Sequence, residues 1–278
     1  MKEVVMDAAQ AAVLGIVQGL TEFLPISSSG HLLLFPFFAG WKISGSQNIP
    51  FFVIVHIGTL VAVLTFFFND IKLLFSSFIK SIIERRIGDD AYRRLAWFLI
   101  IGTIPAGIVF LFISKLLEDS LESPKMVGVF LLVTGVLLIL SEKIGRMKTL
   151  AKDMRFFDVL FIGFAQGLAI LPGISRSGST IAAGLFRGLT REEAARFSFL
   201  LSIPAIIAGA LEETITLIKG STHNVDIAIL TIGFITASIS GYIAIKYFIN
   251  YLKKHSLYIF ALYCFALGSL TVLLTSLR

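Results

Sequence analysis

One cysteine, Cys264, occurs in 278 residues. It lies in an apolar run, so the chain builds neither a disulfide framework nor a cysteine metal site within itself, and the thiol reads as a small core residue. Charge is also scarce: Asp, Glu, Lys and Arg make up 15% of the chain, against about 25% in a soluble domain. With 56% hydrophobic residues and a mean hydropathy of +0.89, this excludes an ordinary soluble fold and leaves an all-α polytopic membrane protein. The first apolar segment lacks a small-residue cleavage site and carries Gln18 and Glu22, so it reads as part of the fold rather than as a signal peptide. The net charge of +6 does not point to nucleic acid, because the basic residues sit in short loops, the distribution that orients a membrane protein.

What is present is a set of apolar segments, two of them broken. Residues 7–24 read as a helix stopped by Pro25, followed by I-S-S-S-G-H and a short apolar piece to Gly40. Three spans follow, at 50–68, 93–114 and 125–141, with 69–92 read as a charged loop. Residues 156–171 form a second broken helix, stopped by Pro172 and Gly173. Ser175 and Ser177 are natural N-caps for a helix starting near Gly178 and ending at 188. Three more spans follow, at 197–218, 226–248 and 256–276. Neither half of a broken helix reaches the ~20 residues needed to cross a bilayer. Each pair therefore reads as a re-entrant hairpin, whose irregular tip lines a cavity.

The two hairpins share a pattern. G-I-V-Q-G-L-T-E-F-L-P-I-S-S-S-G-H (15–31) aligns with G-F-A-Q-G-L-A-I-L-P-G-I-S-R-S-G-S (163–179). Gly15, Gln18, Gly19, Leu20, Leu24, Pro25, Ile26, Ser27, Ser29 and Gly30 each meet their own kind. Weaker echoes pair Gly102 with Gly233 and Gly135 with Gly268. The expected fold is a duplication: an N-terminal repeat 1–150 and a C-terminal repeat 151–278, each a hairpin plus three spans, in one membrane domain. Three crossings per repeat make the second an inverted copy. On this topology one face collects seventeen Lys and Arg and the other six: Lys2, Lys42, Lys115, Lys125, Lys219 and Arg278. The basic face is then cytoplasmic, with both termini outside. The hairpin tips meet near the midplane and aim two helix N-termini at one point, an anion site.

The tips differ in chemistry. Arg176 stands opposite Ser28, Ser179 opposite His31, and Glu22 has no counterpart. Arg suits phosphate through its planar, permanently charged fork. Gln18 and Glu22 are four apart and share a helix face; two such oxygen ligands suit Mg²⁺ or Ca²⁺. His31 titrates near neutrality and serves as acid, base or nucleophile, and Ser28 is close enough to be activated by it. Each residue also has a structural reading. Gln18 and its twin Gln166 hydrogen-bond neighbouring helices, Glu22 pins the hairpin backbone, and His31 is a polar tip residue. Ser27, Ser175 and Ser177 are caps. His56, with no polar sequence neighbours, reads as a core or cavity-facing histidine, and Glu212 and Glu213 as a solvated edge.

Q-G-L-T-E-F-L-P-I-S-S-S-G-H and L-P-G-I-S-R-S-G-S-T resemble the two signature motifs of bacterial undecaprenyl-diphosphate phosphatases of the bacitracin-resistance type. The resemblance extends over the whole chain in length, span order and inverted repeat. It implies a plasma-membrane enzyme that removes the terminal phosphate of the C55 lipid diphosphate, giving the carrier used in peptidoglycan synthesis. It implies a site opening to the outer side, and a homodimer. It implies functional roles for Glu22, Ser28 and His31 from the first motif and for Ser175, Arg176, Ser177 and Thr180 from the second. Where the family's first motif begins with Glu or Gln, this chain has Gln18. The rival expectation from architecture alone is a transporter or flippase of an anionic lipid, since inverted repeats with broken helices also suit alternating access.

Overall fold

The computed structural model describes residues 6–41, 49–113, 123–219 and 226–277. Eleven α-helices account for most of them: α1 (Ala8–Phe23), α2 (Ser28–Ala39), α3 (Ile49–Phe66), α4 (Phe68–Ile83), α5 (Ala91–Ile113), α6 (Pro124–Ile144), α7 (Phe156–Leu168), α8 (Arg176–Phe186), α9 (Arg191–Lys219), α10 (Ile227–Leu252) and α11 (Tyr258–Ser276). Six of these, α3, α5, α6, α9, α10 and α11, are long and apolar enough to cross a bilayer. The chain is thus a multi-pass, all-helical membrane protein.

The short helices have local causes. Asp7 caps α1, its carboxylate accepting from the Gln10 backbone N–H at 2.8 Å while Gln10 Oε1 accepts from the Asp7 N–H at 3.1 Å. Leu24, held extended before Pro25, ends it. Ser27 caps α2 and Ser175 caps α8, through bonds from Gly30 N (3.3 Å) and Gly178 N (3.0 Å). α2 and α8 span only 12 and 11 residues, roughly 18 Å at most, well short of a ~30 Å hydrocarbon core. Helix α8 begins at Arg176, two residues before the expected Gly178, because Ser175 takes the cap position.

One segment corrects the sequence reading. Residues 68–83, expected within a loop, form the amphipathic helix α4. It buries Leu74 and Ser81 and exposes Phe68, Phe75, Ile79, Ile82 and Ile83 alongside Lys72 and Lys80.

Packing is organised by glycine. α1 lies along α10 and α7 along α5. A Cβ on Gly15 would fall on the Thr236 hydroxyl and 2.7 Å from the Gly233 carbonyl, and one on Gly163 would fall on the Gly102 carbonyl. Without side chains there, the helix backbones touch. α6 packs on α11 through Gly128 and Gly268, and α3 on α9.

The basic loops converge at one end of the bundle. There Arg191 pairs with Glu142, Arg187 with Asp158, Arg196 with Asp70 and Lys253 with Glu192. Thr149 N donates to Gly188 O at 2.8 Å, and Arg94 donates to the Lys152 carbonyl. Of the six basic residues expected at the other end, Lys2, Lys42, Lys115 and Arg278 lie outside the described residues.

Candidate functional site

The two helix breaks are tied directly to each other. Gly173 N–H donates to Ser27 Oγ at 3.1 Å, and Ser177 Oγ donates to the Leu24 carbonyl at 2.9 Å. Thr134 of α6 clamps the second break, accepting from Ser175 N–H at 3.1 Å and donating to the Gly173 carbonyl at 3.0 Å. Gly173 is obligatory: its φ is +101°, and a Cβ there would lie 2.5 Å from the Val127 carbonyl. Ser27 also has a left-handed φ, +69°, held by its bonds to both breaks.

This frame brings Glu22, Ser28 and Arg176 together. The Glu22 carboxylate, 7% exposed, accepts from Arg176 Nη2 at 2.5 Å, from Ser28 Oγ at 2.6 Å and from Gln18 Nε2 at 3.0 Å. A buried carboxylate is tolerable only when paired and hydrogen-bonded, and here a guanidinium 154 residues away supplies the charge. The Ser28–Glu22 contact is the geometry of an activated nucleophile: a hydroxyl within hydrogen-bond reach of a base that other groups orient. Arg176 spends only Nη2 on Glu22; its Nη1 reaches the Ser198 carbonyl at the outer limit of 3.5 Å.

Beside the cluster lies a cavity of about 220 Å³, lined by His56, Arg176, Ala205, Ile206, Gly209, Ala210 and Glu213. It runs along the half of α9 farther from Arg191, away from the basic end. Pockets that bury a whole drug-sized ligand are roughly 300–1,000 Å³, so this one suits a charged head group rather than a long lipid.

The other expected residues are placed elsewhere. Both His31 ring nitrogens are engaged, Nδ1 by the Ser27 carbonyl and Nε2 by the Tyr263 hydroxyl, each at 2.7 Å, and the ring stacks on Tyr263. It faces α11 rather than the Glu22–Arg176 pair. Ser27, Ser175 and Ser177 are committed to caps and to the ties between the breaks. Thr180 is tied to α9 through Ser198 Oγ at 2.6 Å and to the α8 backbone. Of the expected set, Arg176 alone lines the cavity.

Two cavity residues lie outside the expected site set: His56, read as a core or cavity-facing histidine, and Glu213. His56 Nε2 lies 4.0 Å from Glu22 Oε2, and the signal was available: an ionisable residue inside an apolar span is a functional candidate by default. Glu213, read as a solvated edge, is exposed and also borders the cavity.

For a divalent cation the donor chemistry fits. Gln18 Oε1 is buried and has no hydrogen-bond partner, an oxygen left over beside a carboxylate, as hard cations prefer. Among the described residues no three of His, Cys, Asp and Glu converge as a cage.

A family profile described as "Bacitracin resistance protein BacA" matches residues 11–270. Among curated proteins, an "Undecaprenyl-diphosphatase" of Methanosphaera stadtmanae is 45% identical, the alignment covering 97% of this chain and 99% of that protein. One of Methanobrevibacter smithii is 44% identical over 95% and 96%, and one of Alkaliphilus metalliredigens 40% identical over 98% and 100%.

Proposed function

The chain belongs to the bacitracin resistance protein BacA family, and from that membership and the site we propose that it is a membrane phosphatase hydrolysing undecaprenyl diphosphate. It yields undecaprenyl phosphate and inorganic phosphate, recycling the lipid carrier for peptidoglycan synthesis and conferring bacitracin resistance. The observation that carries the reading is a serine and an arginine from different halves of the sequence meeting on one buried carboxylate, Glu22. A pure carrier has no need of a hydroxyl set against a base, and relatives named as diphosphatases favour hydrolysis over transport.

The lipid tail stays in the bilayer while the diphosphate enters the cavity. Arg176 and the helix N-termini hold the terminal phosphate and stabilise the charge that spreads over its oxygens. Ser28 Oγ attacks the terminal phosphorus and its proton passes to Glu22; the bond to the bridging oxygen breaks, and the lipid monophosphate leaves. Water then attacks the phosphoserine, releasing phosphate and restoring the hydroxyl. Gln18 Oε1 and Glu22 would hold a Mg²⁺ or Ca²⁺ ion, which when bound neutralises charge on phosphate oxygens. His31 acts at one remove, fixing the Ser27 carbonyl beside Ser28.

The architecture we propose is an inverted repeat of two re-entrant hairpins, divided near residue 150. Supporting it, Ser27 with Ser29 and Ser175 with Ser177 adopt matching pairs at 3.4 and 3.1 Å. The α1–α10 crossing at Gly15 and Gly233 has its counterpart in the α7–α5 crossing at Gly163 and Gly102. The basic end faces the cytoplasm and the cavity opens outward, and the protein forms a homodimer, as the family resemblance implies.

The deciding measurement is phosphate release from a prenyl diphosphate by purified protein in detergent. Loss in Arg176→Ala and Glu22→Ala supports the enzyme; intact lipid moved across liposomes without phosphate release supports a transporter. Acid quenching that traps phosphate on Ser28 supports the covalent route, and its absence under rapid mixing favours direct attack by water. Chelator lowers release if the cation takes part, and light scattering in detergent reads the oligomeric state.

A further inference from the structure

Two described histidines lie beside the helix breaks, His31 bonded to Ser27 and His56 near Glu22, and they are not equivalent. His31 has both ring nitrogens tied to protein partners. In His56, on α3, Nδ1 donates to the Phe52 carbonyl at 2.7 Å, one helical turn back. That bond fixes the ring and turns Nε2 toward the cavity. Nε2 lies 4.0 Å from Glu22 Oε2, too far for a hydrogen bond, and Glu213 on the same cavity is its other charged neighbour. The side chain is 31% exposed and lines the cavity together with Arg176 and Glu213. A polar atom oriented by one bond and left open in a head-group-sized cavity is a ligand-binding group.

We propose that His56 is a substrate-binding residue: with its Nδ1 proton given to Phe52, its Nε2 accepts a hydrogen bond from a P–OH of the diphosphate that Arg176 clamps. Arg176 comes from the second half and His56 from the first, so the head group is gripped from two sides. Glu213 of α9 borders the same cavity. This assignment rests on the phosphatase reading and extends it, because neither signature motif contains residue 56.

Three substitutions separate this role from a structural one. His56→Ala removes both nitrogens. His56→Asn keeps a polar group near Nδ1, where the Phe52 bond is made, and removes Nε2. His56→Gln reaches the position of Nε2. The measurements are kcat and KM for phosphate release from a detergent-soluble prenyl diphosphate, and the affinity for its non-hydrolysable methylene analogue. We expect Ala and Asn to weaken analogue binding by about tenfold to a hundredfold, the loss typical of one hydrogen bond to a charged group, with KM rising in step. Gln should recover most of that loss. Wild-type-like binding in Ala and Asn overturns the proposal; so does recovery by Asn but not Gln, which would assign His56 to the α3 backbone. Thermal unfolding of each variant checks folding. If the wild-type protein binds the analogue but releases no phosphate, the phosphatase reading fails while the binding series still judges His56.

Discussion

Glu22 and Glu142 are buried carboxylates that each hold an arginine, and the difference between them separates a site from a strut. Glu142, its side chain 1% exposed, accepts Arg191 Nε at 2.8 and 3.1 Å, Arg191 Nη2 at 2.6 Å and the Leu257 amide at 2.8 Å. Arg191 spends its fork on one partner, and the pair joins α6, α9 and the start of α11 at the basic end. Glu22 is as well supplied with donors, but its Arg176 gives it a single nitrogen, holds only a 3.5 Å contact to the Ser198 carbonyl with Nη1, and lines a cavity. A saturated pair holds helices together. An arginine with donors to spare beside a carboxylate that holds a serine is set up to receive an anion.

The comparison breaks if the two arginines respond alike. Arg176→Lys removes the planar fork and leaves a point charge; phosphate release should fall by at least about a hundredfold, the scale for losing a transition-state donor, with thermal unfolding little changed. Arg191→Lys should leave activity per folded molecule within about twofold. The mirror-image experiment is Glu142→Ala, which strands Arg191 and the Leu257 amide. Breaking a fully buried pair costs about 3–5 kcal/mol; because Arg191 is 31% exposed, we expect about 2–3 kcal/mol. At about 2–4 °C per kcal/mol for a chain of this class, the midpoint in detergent should drop by roughly 5–10 °C, with kcat kept. A large kcat loss in Glu142→Ala at constant folded fraction would erase the distinction.

Most of the scaffold was legible because its signals are local. Pro25 and Pro172 stop helices, Ser27 and Ser175 cap the next ones, and both motifs repeat. Glu22 and Arg176 were legible as site residues because a charge within an apolar segment is a functional candidate by default; their direct pairing was not. Helix α4 was missed because a search for continuous apolar runs skips a helix whose apolar face is only a stripe, broken by Lys72 and Lys80. Ser175 was legible as a cap; that Ser177 also ties to the Leu24 carbonyl and Thr180 to Ser198 was not, because those contacts cross between helices far apart in sequence. The hydrogen-bond partners of His31 and His56 were illegible for the same reason. Sequence shows that an imidazole is present, not which nitrogen is free.

The glycine crossings sharpen the comparison between the two halves. Gly15→Ala and Gly163→Ala each force a methyl into a neighbouring helix, at Thr236 and Gly102 respectively. Overpacking of this kind costs about 1–3 kcal/mol, read as a fall in the unfolding midpoint. Gly163→Ala should be the worse of the two, because it meets backbone, whereas the Thr236 side chain can turn aside. Equal effects would mean that the α1–α10 crossing is as rigid as α7–α5.

The smallest expected effect lies at the basic end, on the exposed Glu84. The hydrogen bond from Arg93, followed by the charges of Arg93, Lys80 and Arg86, holds its carboxyl below the usual carboxylate range, and Arg93 Nη1 sits 2.6 Å away. A depressed folded-state pKa means that the pair stabilises above the unfolded-state value and that this contribution is lost as pH falls through the depressed one. The unfolding midpoints of the wild-type protein and Glu84→Gln should therefore differ most near neutrality, the variant lower, and converge in acid. Screening makes the difference shrink in high salt. A gap that persists in acid would assign the effect of Glu84 to the α4 C-terminus rather than to its charge.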